Sequence, residues 1–106
     1  MANDKNVIIK YTDRQAVDDG VLVAVSGEGG VNRVTRAVFD HFTRAMGSSP
    51  ITGPVINIMP LMDTIRAMVK IPPDEDGWRT GTHQGKKLWL VPNEVHGLTL
   101  MFPDDY

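Results

Sequence analysis

The chain reads as a single α+β domain over 1–106: a mixed or antiparallel sheet, two main helices at about 32–46 and 60–70, and a C-terminal β-meander. Three observations lead there. Gly20 and Ser26-Gly27 bracket a continuous apolar run, Val21-Leu22-Val23-Ala24-Val25, as expected of an interior strand covered on both faces. Apolar residues at 31, 34, 38, 42 and 45 fall at helical spacing. Beyond Trp78, short β-prone runs alternate with turn-forming clusters.

Taken in order, Asn6-Val7-Ile8-Ile9-Lys10-Tyr11 is β-branched and aromatic and reads as a strand with Val7, Ile9 and Tyr11 on one face. Thr12 and Gln15 stand at capping-box spacing, and Gly20 offers a left-handed stop, which gives a short helix over about 13–19. Asp18 and Asp19 oppose the helix dipole at its C-terminal end, so this helix is expected to fray early. The stripe Val31, Val34, Val38, Phe42 and Ala45, widened by Phe39 and Met46, marks the longest helix, with Asn32 as its cap and Gly47 as its stop. Arg33, Arg36, Asp40 and Arg44 occupy the opposite side, where four-residue spacings pair Arg36 with Asp40 and Asp40 with Arg44.

Ser48 to Pro54 is a loop by composition, and Val55-Ile56-Asn57-Ile58 a short strand. Pro60 suits a first helical turn, followed by an apolar stripe of Leu61, Ile65, Met68 and Val69, an Asp63–Arg66 pair on the other side, and Pro72-Pro73 as terminator. The acidic loop 72–77 then leads into strands at Trp78–Thr82, Lys87–Val91 and Gly97–Phe102.

Composition bounds the function. A chain of 106 residues, 42% hydrophobic and 23% charged, can bury one core without metal or disulfide staples. The absence of cysteine removes disulfides, thiolate nucleophiles and cysteine-ligated metal sites together. Eleven basic and thirteen acidic residues leave a net charge of -2, so no bulk field draws the protein to nucleic acid or anionic lipid. No apolar run approaches the roughly 18–20 residues of a membrane span, and the chain is expected to be cytoplasmic with no membrane partner.

No complete catalytic set is present. The glycine loop Ser26-Gly27-Glu28-Gly29-Gly30 joins a strand to the expected helix, where a phosphate would meet the helix N-terminus, but a dinucleotide fingerprint needs glycine where Asn32 stands, a P-loop needs Gly-Lys-Ser/Thr, and Glu28 repels an anion. His41, His83 and His96 show no ligand pair at helical register, so no metal, cofactor or histidine-based catalytic site is expected. Trp78, Trp89, Phe39, Phe42, Tyr11 and Phe102 read as core anchors. Met59, Met62 and Met68 lie around one helix, where thioethers fill gaps or give an adaptable binding surface.

The segment Tyr11 to Val25, with its Asp19-Gly20-Val21-Leu22-Val23 strand ending in Val25-Ser26, and the run Val34-Thr35-Arg36-Ala37-Val38-Phe39 together resemble an uncharacterised family of small bacterial plasmid and phage proteins. Ala24 and Phe39 depart from its pattern, which has aspartate and tryptophan there. The resemblance covers about a third of the chain, transfers no catalytic residue, and implies an accessory protein of mobile DNA.

The sequence therefore predicts a non-enzymatic accessory protein that binds a protein partner, with Arg33, Arg36, Arg44, Met59 and Met62 as the candidate surface. One alternative is nucleic-acid binding by the Arg33, Arg36 and Arg44 helix face; another is small-molecule or nucleotide binding at Gly27–Gly30, with Asp18, Asp19 and Glu28 as nearby acids. The partner and the oligomeric state stay open.

Overall fold

The computed structural model describes residues 13–49, 51 and 53–106; the strand expected at 6–11 and the capping role of Thr12 lie outside them. The chain runs α1 (Asp13–Asp18), β1 (Leu22–Ala24), a 3-10 turn (Glu28–Gly30), β2 (Val31–Thr35), α2 (Arg36–Phe42), β3 (Arg44–Ser49) and β4 (Gly53–Asn57). It continues with α3 (Met59–Val69), β5 (Arg79–His83), β6 (Lys86–Pro92), β7 (Leu98–Met101) and a closing 3-10 turn (Pro103–Asp105). This is an α+β fold whose mixed five-stranded sheet has the order β1-β2-β7-β6-β5. Only β2 and β7 run parallel; the other pairs in that sheet are antiparallel. Strands β3 and β4 form a separate two-stranded sheet.

The long helix expected over 32–46 is three elements instead. Its first part is β2, where the register against β7 slips between Val31 and Arg33 so that Asn32 is the extra, bulged residue. A bulge advances the face by one, so Val31 and Val34, three apart, both turn into the core at 1% and 0% exposure. That spacing imitates a helix. The cap is Thr35, not Asn32: its hydroxyl accepts a hydrogen bond from the Val38 amide at 3.3 Å. The helix then stops at Phe42, where the Thr43 hydroxyl donates to the Phe39 carbonyl at 2.7 Å. Gly47 does take positive φ, at +95°, but inside β3, where the register against β4 slips between Ala45 and Ser48.

The segment around Val21–Val25 also differs from expectation. Strand β1 lies at one edge of the sheet among the described residues, with Ala24 exposed and Val21 49% exposed, because the chain turns straight back through the glycine loop to pair β1 with β2. Helix α1 does not fray early, as Asp18 and Asp19 led us to expect: it runs through Asp18 and stops at Gly20, where the Val21 amide donates to Ala16 and the Gly20 amide to Val17, the paired bonds of a Schellman stop that hold the end against the dipole.

Helices α2 and α3 cover one sheet face. Val38 and Phe42 from α2, and Leu61, Ile65 and Met68 from α3, pack on Val31, Val34, Leu88, Leu90 and Leu100. The α3 stripe is the one its sequence predicts, and Pro60 sits in its first turn. Phe39 and Phe102 pack against this core as expected of anchors. Trp78 and Trp89 are instead half-buried and cluster with the exposed Tyr106, ring centroids 5.2–5.8 Å apart. Trp89 is there because it alternates with the inward Leu88 and Leu90.

The meander is tied to β2 by side-chain amides. Asn93 Oδ1 accepts from the Val95 and Gly97 amides, while its Nδ2 donates to Asn32 Oδ1 at 2.7 Å and Thr99 Oγ1 at 3.1 Å. Asn32 Nδ2 in turn donates to the Val95 carbonyl. Gly97 closes against this group, and a β-carbon there would collide with the Asn32 amide.

Two outcomes test this packing. Phe42→Ala is expected to cost about 3–5 kcal/mol, a fall in Tm of well over ~10 °C for a domain of this size; a shift of only a few degrees would remove α2 from the core. Gly97→Ala is expected to destabilise by about 1–3 kcal/mol through overpacking, and by clearly less in an Asn32→Ala background. Equal costs in both backgrounds, read by denaturant melts, would show that the two side chains do not meet.

Candidate interaction surface

The three arginines expected on one helix face occupy three elements. Arg33 is in β2, Arg36 opens α2, and Arg44 opens β3 after that helix has ended, so Asp40 has no helical i+4 arginine. Arg33 is committed to structure. Its guanidinium meets Asp13 through two bonds of 2.9 and 3.0 Å, with side-chain exposures of 19% and 11%, and the Asp13 amide donates to Glu94 Oε1. Arg33 thus pins α1 to the sheet. Arg36 is more open; it donates to the Gly20 carbonyl, reaches Asp40 at 3.6 Å and lies over the Phe39 ring.

The glycine loop leads into β2 rather than a helix, so no helix N-terminus stands behind it to receive an anion. Its backbone is built for close packing. Gly29 and Gly30 have φ of +67° and +86°, and a β-carbon on Gly29 would come within 2.7 Å of Val69 on α3. Glu28 turns outward to Arg66, which also holds Asp63 at 2.9 Å. The Glu28 hydrogen bond and charge, helped by Asp63, raise the Arg66 pKa further and leave that guanidinium always charged. Asp18 closes α1 and Asp19 follows it in the turn before β1.

His41 and His83 both pack on the Phe42 ring, at centroid distances of 4.7 and 6.1 Å. His41 is exposed, with its ring edge-on to Phe42 and Phe102, His83 is on β5, and His96 lies in the β6–β7 turn. Among the described residues no group of three His, Cys, Asp or Glu side chains is arranged to hold a metal ion.

What stands out instead is the arm formed by β3 and β4. Its strands hydrogen-bond to each other and not to the five-stranded sheet, and contact each other far more than any other element. Exposed apolar side chains gather on it and just beyond: Ile51 at the turn, 92% exposed, Ile56 at 46%, Ile58 at 45% and Met59 at 55%. Asn57 caps the start of α3 by accepting the Met59 amide at 3.0 Å, so strand end and helix start form one continuous edge. Of the methionines in the candidate set, Met59 belongs to this surface, while Met62 packs partly against the core. The isoleucines were missed, yet a signal was present: no ionisable side chain occurs between Arg44 and Asp63.

No protein-family model, curated protein or solved structure matches the chain.

Stability measurements separate the two ion pairs. Glu28→Ala should change stability by no more than about 0.5 kcal/mol, because its partner is well solvated. Arg33→Ala should cost about 1.5–3 kcal/mol, since two charge-assisted bonds are lost and the Asp13 carboxylate is left in a mostly covered site. Equal costs in urea melts would contradict the structural role assigned to Arg33.

Proposed function

We propose that this is a non-enzymatic accessory protein that works by binding another protein through the β3–β4 arm and the first turn of α3. The observation that carries this reading is the run of exposed apolar side chains from Ile56 through Ile58 to Met59, where a two-stranded sheet outside the main one meets α3, with Ile51 exposed at its turn. A hairpin without further strands is marginally stable in water. Apolar side chains gathered on one exposed edge mark an interaction site. Depletion of charge together with methionine is the composition of interface centres, and the stretch between Arg44 and Asp63 has both. The resemblance to small plasmid and phage proteins supports an accessory role.

Nucleic-acid binding is disfavoured by the same geometry. Arg33 is neutralised by Asp13, Arg36 has Asp40 nearby, and the net charge is -2, so few phosphates could be neutralised.

Photo-reactive residues placed singly at Ile51, Ile56 and Met59, with Glu75 and Lys86 as controls, test the reading in living cells. Discrete protein adducts are expected at the first three positions and not at the controls. Adducts of equal yield everywhere, or none on the arm, would overturn it.

A further inference from the structure

We propose that the cleft between the glycine loop and the β6–β7 turn binds a phosphate group, free or as a small ester, on the guanidinium of Arg79. The site is separate from the arm and does not rest on the protein-binding reading. The first observation is a charge without a match. Arg79 is half-buried on β5, and its Nε donates to the Ile71 carbonyl just past α3 at 2.8 Å. No carboxylate among the described residues pairs with it, whereas Arg33, also half-buried, is held by Asp13. The Nε bond fixes the side chain and leaves its two terminal amino groups without a protein acceptor among the described residues. A partly covered charge is costly unless it is paired. A planar fork of N–H donors is the group that matches two oxygens of an oxyanion.

The second observation is the cleft that Arg79 lines, about 430 Å³ in volume, within the roughly 300–1,000 Å³ of small-ligand sites. Sheet order brings its walls from different directions. Arg79 stands on the edge strand β5, Gly29 and Gly30 lead into β2 on the far side, and the paired Pro92 and Leu98 of β6 and β7 lie between them. Nothing stands within 4 Å of where a Gly30 β-carbon would be, so a ligand can approach its backbone closely. His96 lines the same cleft from the β6–β7 turn, in a left-handed conformation with φ of +62°. Asn93 holds it there by accepting the amides of Val95 and Gly97 on either side. A side chain kept in so sparsely populated a conformation at a cleft points to a functional position. The guanidinium fork alone satisfies a planar carboxylate, whereas a phosphate offers a further oxygen to the His96 imidazole. The acids beside these segments are engaged elsewhere: Glu28 meets Arg66, and Glu94 accepts the Asp13 amide.

Amide chemical shifts of the isotope-labelled full chain, titrated separately with inorganic phosphate, glycerol phosphate and acetate, test this directly. Saturable shifts are expected at Gly29, Gly30, Arg79, His96 and Gly97, with a dissociation constant for inorganic phosphate on the order of 1–10 mM. Tighter binding of glycerol phosphate assigns the site to an ester, and equal binding assigns it to free phosphate. Arg79→Lys keeps the charge and a donor for the Ile71 carbonyl but loses the fork, and should weaken phosphate binding at least about tenfold. His96→Asn suits the left-handed backbone while removing the imidazole, and should weaken it about threefold. Should Arg79→Lys fail to fold, His96→Asn decides. No saturable shift up to ~50 mM phosphate, shifts centred away from these residues, binding unchanged in a folded variant, or acetate bound as tightly as phosphate would each overturn the proposal.

Discussion

The parallel pairing of β2 with β7 is the constraint on which the rest of the sheet hangs. It joins the N-terminal strands to the C-terminal meander across most of the chain length. The bulge at Asn32 lets both Val31 and Val34 face the helices while Arg33 turns to Asp13 on α1. One inserted residue thereby serves the core on one side and anchors α1 on the other. Asn93 holds the arrangement, since both its acceptor and donor groups are engaged by Asn32, Thr99 and two backbone amides. A half-buried polar group satisfied this fully specifies register, because a one-residue slip would leave its partners unpaired.

The same bulge explains where sequence reading succeeds and where it fails. Helix α3 and the meander are legible because each has one unbroken period: Leu61, Ile65 and Met68 for the helix, Leu98 and Leu100 for the last strand. The stretch 31–46 is not. Its bulge turns a strand's period of two into a local three, and the step from Val34 to Val38 crosses the Thr35 cap, so two elements counterfeit a single stripe. Gly47 carried the right local message, a positive φ, attached to the wrong element. The apolar run at Val21–Val25 fits an edge strand as well as an interior one, since periodicity does not report what lies beside a strand.

The helical arginine face goes with the helix that was expected to carry it. Arg33, Arg36 and Arg44 fall on β2, α2 and β3, so no single helix carries them. Met59 survives as a surface residue because its helix was placed correctly. Ile51 was passed over because Ser48 to Pro54 has a loop's composition, although Ser48 and Ser49 close β3 and Gly53 opens β4. Ile56 and Ile58 lay in the strand expected at 55–58, whose exposure a sequence pattern does not report. The long absence of ionisable groups after Arg44 was the legible clue, since a solvated face normally carries charge.

The fold thus divides its labour. The five-stranded sheet and two helices bury a self-sufficient core, and the arm lies outside that sheet with apolar side chains still in water. Hydrogen exchange over residues 45–57 reads the division between sheet and arm most directly. The account predicts arm amides that exchange fast beside strongly protected amides in β2, β6 and β7. Arm amides as protected as those of β2 would contradict it, because the arm would then be held by its own chain.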